Sequence, residues 1–395
     1  MTYDFDRIID RRSSGSIKWK RYPADVLPLW VADMDFAAPQ PVQETLRAGV
    51  DHGIFGYEMP SPELLEVVAQ RMQRLYGWQV SPDSIVPTPG IVSAFNAAAA
   101  AVCAEGEGIL VQPPVYPPFL ALAGNVGAVC QPALLRQMND GSRLRYGIDW
   151  PAFEAALGSG GARTRMLMLC APHNPTGQVY TRAELERMAE SCVKHDLILC
   201  SDEIHSELLL GGAHHVPPAS LDPAIAGRSI TLVAPSKTFN VPGLFCGFAI
   251  LPDQELCERY RKTVERMTLH VSGPGLAAAQ VAFSGACDDW LAALCRYLTA
   301  NRDFLVGFVQ THLPGIRTTV PDATYLAWLD CNDLLQAGRL GGSAYKFFLE
   351  QARVGLNDGA EFGPGGEGFV RLNFGCPRAT LVEALERMRA ALERG

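Results

Sequence analysis

Four apolar runs in the chain each end in polar residues of types that take part in covalent and acid-base chemistry. The runs and the segments that follow them are GILV-QPPVYPPF, MLMLC-APHNPTG, LILC-SDEIH and ITLVA-PSKTFN. The side chains that they deliver are Tyr116, Asn174, Asp202, His205, Ser236 and Lys237. Because ligands of an open α/β sheet bind beyond the carboxyl ends of its strands, these side chains are expected to share one site.

Each of these residues also has an ordinary structural explanation. A lysine after a strand is often a solvated loop residue, and an asparagine before proline often forms a turn. An Asp-Glu pair often caps a helix, and a tyrosine among prolines often only packs. Taken together, the side chains supply what pyridoxal phosphate requires: an amine for a Schiff base, a carboxylate for the pyridinium nitrogen, donors for the phenolate oxygen and an aromatic face for the ring.

The middle of the chain has the pattern of an α/β protein. Short apolar runs alternate with longer stretches of helical periodicity, which is typical of a mainly parallel sheet covered by helices on both faces. Strands are predicted at residues 108–112, 166–170, 197–201, 230–234 and 245–251. Helices are predicted at residues 91–103, 181–195 and 254–268.

The pattern changes near residue 285. A long amphipathic stretch at 290–311 precedes apolar runs at 324–329 and 370–374, which flank a predicted helix at 343–353. The first fifty residues carry turn-forming prolines and few periodic runs, so we expect them to wrap across the rest of the protein. We therefore predict a large domain at 50–285 and a smaller α+β domain built from 1–49 and 286–395.

Composition and charge exclude several classes of protein. The 395 residues are 48% hydrophobic and 19% charged, as in a soluble globular protein. With 34 Lys and Arg against 42 Asp and Glu, the net charge of −8 argues against nucleic acid or an anionic membrane as the main partner. No apolar run approaches the ~20 residues that span a bilayer, and residues 1–16 lack the apolar core of a secretory signal. We expect a cytoplasmic protein.

The eleven cysteines do not indicate a metal site or a disulfide framework. Their number is odd, no two of them form a CxxC pair, and most lie within apolar runs. This distribution favours buried, reduced thiols. We therefore expect no metal ion.

The order of the four motifs resembles that of the fold-type I aminotransferase superfamily. Asp202 lies 28 residues after Asn174, and Lys237 lies 35 residues after Asp202. The blocks LPLWVADMDF, HGIFGY, PVYPPF, APHNPTG, SDEIH, APSKTFN and VRLNFGCPR resemble, more narrowly, the MalY/PatB branch of cystathionine β-lyase type carbon-sulfur lyases. The resemblance covers nearly the whole chain. It implies a mainly parallel seven-stranded sheet sandwiched by helices, a smaller α+β domain, and pyridoxal 5'-phosphate as cofactor.

The resemblance also implies roles for the residues of the four motifs. Lys237 would bind the cofactor as a Schiff base and, once released by substrate, move protons at the substrate Cα. Asp202 would keep the pyridine nitrogen protonated, and Asn174 would donate to the phenolate oxygen. His205 stands where aminotransferases of the superfamily carry Tyr, which favours the MalY/PatB branch. Tyr116 would stack on the ring and take part in proton transfer, although packing alone also explains it.

Phosphate binding would depend on the segment PGIV and its neighbours. Gly90 permits a tight turn, and the N–H groups of Ile91 and Val92 begin a helix, whose N-terminus attracts anions. Ser236 adds a hydroxyl group. The superfamily's serine three residues before the lysine and its arginine eight residues after it are replaced by Ala234 and Phe245. Tyr57 of a neighbouring subunit would reach the phosphate, which implies a homodimer.

Substrate binding is predicted at both ends of the chain. Arg371 matches the superfamily's clamp for the substrate carboxylate, to which a guanidinium can donate two parallel hydrogen bonds. Trp30, Asp33 and Asp35 are expected to shape the pocket, although turn capping explains the two aspartates nearly as well.

The expected reaction is β-elimination from L-cystathionine or a related L-cysteine S-conjugate, giving thiol, pyruvate and ammonia. Because the cofactor weakens every bond to Cα, transamination of an amino acid is an alternative. A regulatory protein of the same fold with vestigial activity is a second alternative. The sequence does not identify the sulfur substituent or the pathway, because small differences in pocket volume set specificity.

Overall fold

The computed structural model describes residues 3–140 and 143–394. The strands are β1 (Leu27–Pro28), β2 (Ile85–Thr88), β3 (Gly108–Val111), β4 (Val129–Pro132), β5 (Leu135–Asp140), β6 (Arg143–Ile148), β7 (Thr164–Cys170), β8 (Ile198–Asp202), β9 (Ser229–Val233), β10 (Gly247–Ile250), β11 (Arg317–Thr319), β12 (Leu326–Asp330), β13 (Val354–Gly355), β14 (Asn357–Asp358) and β15 (Phe369–Asn373). The helices are α1 (Ile17–Lys20), α2 (Gln40–His52), α3 (Pro62–Tyr76), α4 (Ile91–Val102), α5 (Pro117–Asn125), α6 (Trp150–Ala156), α7 (Arg182–Lys194), α8 (Pro223–Ala226), α9 (Pro235–Thr238), α10 (Gln254–Arg266), α11 (Gly273–Phe283), α12 (Asp288–His312), α13 (Asn332–Gln336), α14 (Ala344–Glu350) and α15 (Arg378–Arg394). No helix in these two ranges is long and apolar enough to cross a bilayer.

A seven-stranded sheet lies at the centre of the fold, with strand order β2-β10-β9-β8-β7-β3-β4. The strands from β9 to β4 are parallel, and β10 is antiparallel to both of its neighbours. Side chains of β7 alternate between two cores: Met166 and Met168 pack with α4, α5 and α10, whereas Leu167 and Leu169 pack with α6 and α7. The predicted mainly parallel seven-stranded sheet between helical layers is therefore confirmed.

The parallel strands β3, β7, β8 and β9 end at one edge of this sheet. The turns that follow them carry the polar segments that the sequence indicated, so the topology places the four motifs beside one another. The helices α5 and α9 begin within these segments, each with a proline in its first turn, where proline is tolerated.

A second sheet of six strands has the order β14-β15-β12-β11-β6-β5. Its neighbours are antiparallel except for β6 and β11, which pair in parallel with Arg143 opposite Thr318. The division of the chain into domains at residues 49 and 285 stays a prediction. The paired strands β5 and β6 of this second sheet lie within the range 50–285 that was predicted for the large domain.

Three predicted elements are longer in the sequence pattern than in the structure. Phe245, Thr324 and Arg353 have φ angles of 47°, 72° and 56°, which neither a strand nor a right-handed helix can accommodate. Strand β10 therefore begins at Gly247, β12 begins at Leu326 and α14 ends at Glu350.

The helix α2 is not indicated by the sequence pattern. We interpreted Pro41 as a turn former, but it lies in the first turn of α2. N–H groups in the first turn of a helix have no acceptor within the helix, so a proline there costs no hydrogen bond. Gly53, with φ of 76°, ends the helix. Residues 3–39 form only α1 and β1, and β1 pairs with the distant β13.

Candidate active site

A cavity of about 410 Å³ lies at the carboxyl edge of the large sheet. Eleven of the fourteen residues predicted to form the site line it: Trp30, Gly90, Ile91, Val92, Tyr116, Asn174, Asp202, His205, Ser236, Lys237 and Arg371. Tyr57, Asp33 and Asp35 do not. The volume is that of a site for a small molecule.

Lys237 lies in the short helix α9, directly after β9. Its Nζ atom donates a hydrogen bond of 2.7 Å to the backbone oxygen of Ala32. Burial lowers the pKa of Lys237 to about 8; the charge of Asp33 opposes this shift and that of Arg371 adds to it. A substantial fraction of the amine is therefore neutral near physiological pH, as a nucleophile or a base must be.

Asp202 is the last residue of β8, and its carboxyl group is buried. One carboxyl oxygen accepts a hydrogen bond of 3.1 Å from the backbone N–H of Ile204. Burial raises the pKa of Asp202 to about 7, against the effect of this hydrogen bond. A buried carboxyl group of this kind favours a cationic donor as its partner.

His205 and Tyr116 present groups of fixed protonation to the cavity. Burial, together with the charges of Lys237 and Arg371, lowers the pKa of His205 to about 3, so the ring is neutral. Its Nδ1 atom has no hydrogen-bond partner among the residues that the structure describes. Burial and the charge of Asp202 raise the pKa of Tyr116, so its hydroxyl group keeps the proton.

Arg371 and Asn174 bind each other inside the cavity. The guanidinium donates to Asn174 Oδ1 at 2.9 Å, to the backbone oxygen of Trp30 at 3.0 Å and to Asn357 Oδ1 at 2.6 Å. Because Asn174 Oδ1 is engaged, its Nδ2 group is the one left to donate to a ligand. The arginine also lies over the ring of Phe362, 5.0 Å from the centroid.

An anion-binding turn lies at the start of α4. Gly90 is the N-cap residue with φ of 91°, a conformation that favours glycine, and the first turn of the helix contains no acidic residue. The backbone N–H groups of Ile91 and Val92 have no acceptor within a helix that starts there. Ser236 lines the same cavity.

Three predicted residues lie outside the cavity. Tyr57 is fully exposed in the segment between α2 and α3. Asp33 binds Arg11 through both of its oxygens, at 2.7 and 3.2 Å, so its carboxylate is engaged within the N-terminal segment. Asp35, which we also expected to shape the pocket, is buried between Arg11 and Lys18.

The sequence analysis missed several residues that line or support the cavity. Asn357 reaches Arg371 because β14 pairs with β15, which places the two residues opposite each other. Cys170 and Cys246 also line the cavity, although neither occupies a predicted catalytic position. Only the pairing of β14 with β15 could have identified Asn357, and the pattern of residue types does not report that pairing.

These groups fit pyridoxal phosphate. The turn at Gly90 and Ser236 suits the phosphate, and the buried carboxyl group of Asp202 suits a protonated pyridine nitrogen. Asn174 Nδ2 and the unpartnered His205 Nδ1 can serve ring substituents, and the partly neutral Lys237 can form a Schiff base.

The comparisons with known proteins agree with this geometry. The chain is 38% identical over 396 aligned residues to cystathionine beta-lyase PatB of Bacillus subtilis, with 98% of this chain and 100% of PatB covered. It matches the structure of cystalysin from Treponema denticola, which contains pyridoxal 5'-phosphate, with a TM-score of 0.92, 30% identity and full coverage of both chains. The structure of OvoB matches with a TM-score of 0.91, 39% identity and full coverage of both chains.

The family model for aminotransferase class I and II matches residues 24–388, a range that contains every residue of the predicted site. The sheet order, the strand-end motifs and this match agree, and the chain therefore belongs to the aminotransferase class I and II family, with its fold-type I architecture.

Proposed function

We propose that the protein is a pyridoxal-phosphate-dependent carbon-sulfur β-lyase. It cleaves L-cystathionine or a related L-cysteine S-conjugate, with one water molecule, to a thiol, pyruvate and ammonia. One arrangement supports the proposal above all: Lys237, Asp202 and Arg371 converge on one buried cavity in a chain that is 38% identical to PatB along its length.

The cofactor would be held by groups on five strand-end segments, which follow β2, β3, β7, β8 and β9. The N-terminus of α4 and Ser236 would bind the phosphate, Asp202 would bind the pyridine nitrogen, and Tyr116 would stack on the ring. Asn174 and His205 face the ring substituents. Pyridoxal phosphate, when bound, supplies an electron sink for the pair left at the substrate Cα.

Arg371 orients the substrate by binding its α-carboxylate. Asn174, Asn357 and the Trp30 backbone oxygen engage three of the five guanidinium N–H groups and fix its plane. One N–H group of Nη1 and that of Nε remain for the carboxylate, and Nε has no partner among the described residues. Because the guanidinium is buried and positioned in advance, little entropy is lost when the carboxylate binds.

Lys237 and Tyr116 move the protons. The neutral amine of Lys237 takes the Cα proton, since burial lowers the pKa of this lysine to about 8. When the carbon-sulfur bond breaks, its electron pair leaves with sulfur. The proton that Lys237 took from Cα can then pass to the departing sulfur, with the Tyr116 hydroxyl as relay, which gives the thiol and leaves Tyr116 protonated.

The proposal is tested by incubating the purified holoenzyme with L-cystathionine and measuring pyruvate and free thiol. Stoichiometric release of both products is expected. Amino transfer to a 2-oxo acid without thiol release would identify an aminotransferase instead. Bound cofactor without turnover of any cysteine conjugate would identify a regulatory protein.

The uptake of cofactor by the apoprotein is expected to depend on pH through Lys237. Only the neutral amine attacks the aldehyde, and burial lowers its pKa from 10.5 to about 8. The rate of capture should therefore rise with pH and reach half of its maximum near pH 8. Stopped-flow absorbance after addition of pyridoxal phosphate measures this rate. A midpoint near pH 10 would contradict the lowered pKa.

We propose further that the active unit is a homodimer in which Tyr57 reaches the partner's phosphate site. The segment between α2 and α3 exposes four large hydrophobic side chains: Ile54, Phe55, Tyr57 and Met59. Such a patch on a soluble protein is typical of an interface. Free thiols at all eleven cysteines support a cytoplasmic location. The size of the cavity supports small molecules as partners.

Co-expression of two inactive variants tests this arrangement. Tyr57→Ala lacks the phosphate contact, and Lys237→Ala lacks the reactive amine. A mixed dimer contains one site with Lys237 from the first chain and Tyr57 from the second, so we expect activity well above the sum of the separately expressed variants. Activity no higher than that sum would show that Tyr57 does not act across subunits.

A further inference from the structure

The segment of residues 30–34 has no regular secondary structure, and its residues 30–32 line the cavity. Side chains from the rest of the protein hold its backbone oxygens in place. Asn373 Nδ2 donates to the oxygens of Val31 and Asp33, at 2.7 and 3.0 Å, and Arg371 donates to that of Trp30. The segment therefore presents fixed carbonyl groups to the cations of the cavity.

The oxygen of Ala32 receives two donors. Lys237 Nζ lies 2.7 Å from it and the Tyr325 hydroxyl lies 3.0 Å from it. Within the described residues, Lys237 Nζ makes no other hydrogen bond. A carbonyl oxygen has two lone pairs, so both donors can bind at once.

Tyr325 is a permanent donor. It is buried next to β12, and its ring packs edge-on against His205 with centroids 5.9 Å apart. Burial and the charge of Asp33 raise the pKa of Tyr325 well above its ordinary value. Its hydroxyl group therefore keeps its proton at every pH at which the protein works.

Lys237, by contrast, is a donor to Ala32 only part of the time. Under the proposed function its nitrogen is either hydrogen-bonded to Ala32, which is its free state, or bonded to the cofactor. When the nitrogen leaves Ala32, the carbonyl loses one donor in a cavity that the cofactor fills. If the half-buried carbonyl then had no donor at all, the cost of leaving it unpaired would disfavour the transfer of Lys237 from Ala32 to the cofactor.

We infer that Tyr325 is a positioning residue for Lys237: its hydroxyl group keeps the Ala32 carbonyl hydrogen-bonded while the lysine is on the cofactor. Removal of the hydroxyl group then penalises the bonded state of Lys237 more than the free state, in which Lys237 still donates to Ala32. The inference rests on the assignment of Lys237 as the cofactor-binding lysine. It does not depend on the reaction that the holoenzyme catalyses.

The test is a double-mutant cycle that measures the dissociation constant of pyridoxal phosphate by fluorescence and ultrafiltration. Tyr325→Phe should weaken binding about five- to tenfold when Lys237 is present, which corresponds to one lost hydrogen bond. In the Lys237→Ala background, the same change should alter binding less than about twofold, because no lysine leaves Ala32. Tyr146→Phe is the matched control, since Tyr146 is a buried tyrosine whose hydroxyl accepts a hydrogen bond from Trp328 away from the cavity.

Equal weakening in both backgrounds, or no weakening in either, would overturn the inference. A wild-type protein that acquires no visible absorbance with pyridoxal phosphate would overturn it together with the assignment of Lys237. A wild-type protein that captures the cofactor and responds to Tyr325→Phe as expected supports the inference even if it cleaves no cystathionine, and that result would reject only the lyase function.

Discussion

Replacement of Lys237 by alanine is expected to abolish the visible absorbance of the bound cofactor and to lower lyase turnover on the order of 10³-fold or more. The loss is large because one amine carries two tasks, covalent attachment of the cofactor and transfer of the Cα proton. Its position at the end of β9 and its pKa of about 8 suit both tasks. Absorbance spectra of the dialysed proteins and a pyruvate assay measure the two effects.

The matched control for this prediction is Lys262→Ala, which removes an exposed lysine of α10 outside the cavity. We expect the spectrum and the turnover of this variant to equal those of the wild type. If Lys237→Ala retains the visible band, a different lysine binds the cofactor. The assignment of the α9 lysine would then be wrong.

The sequence predicts the strand-end residues of the site well, because their placement follows from topology. Once β3, β7, β8 and β9 are parallel, the residues after each strand must meet at one edge. Tyr116, Asn174, Asp202 and Lys237 therefore required only a correct assignment of apolar runs as strands. Arg371, on the second sheet, was located by family resemblance instead.

Contacts that depend on which strands pair, and in which register, were beyond the sequence pattern. Asn357 meets Arg371 only through the pairing of β14 with β15, and the parallel pair β6–β11 joins residues more than 170 positions apart. Hydrophobic periodicity is a local signal and does not report such pairings. The helix α2 was missed for another reason, since the proline in its first turn is also typical of a loop.

Backbone groups were missed for a further reason. The oxygen that accepts a hydrogen bond from Lys237 belongs to Ala32, whose methyl side chain is unreactive. The position of this oxygen depends on how side chains such as Asn373 bind the backbone of residues 30–34. Likewise, the carboxylate of Asp33 was expected in the pocket but binds Arg11. A sequence indicates which side chains can react, whereas the network that orients them emerges only from the folded chain.

The burial of Asp202 lowers the stability of the cofactor-free protein at neutral pH, while it suits the proposed role of this residue in binding the cofactor. Burial raises the pKa of its carboxyl group from 3.8 to about 7, so the ionised form is disfavoured in the folded state. The folded state therefore binds more protons than the unfolded state between these values, and stability falls as the pH rises from about 4 to 7. A protonated pyridine nitrogen beside the carboxylate would compensate for this loss.

We accordingly expect Asp202→Asn to act in opposite directions on stability and on catalysis. The amide has the same shape without a charge to bury, so the apoprotein should gain up to about 4 kcal/mol in its free energy of unfolding at pH 8 and almost nothing at pH 4. Turnover should fall roughly 10²- to 10³-fold, because an amide does not hold the pyridine nitrogen protonated. Urea unfolding of the apoproteins and the pyruvate assay measure these effects, with the exposed Asp289→Asn as control. If the variant is no more stable at pH 8, burial does not disfavour the ionised form of Asp202. If it keeps wild-type turnover, Asp202 is not the partner of the cofactor nitrogen.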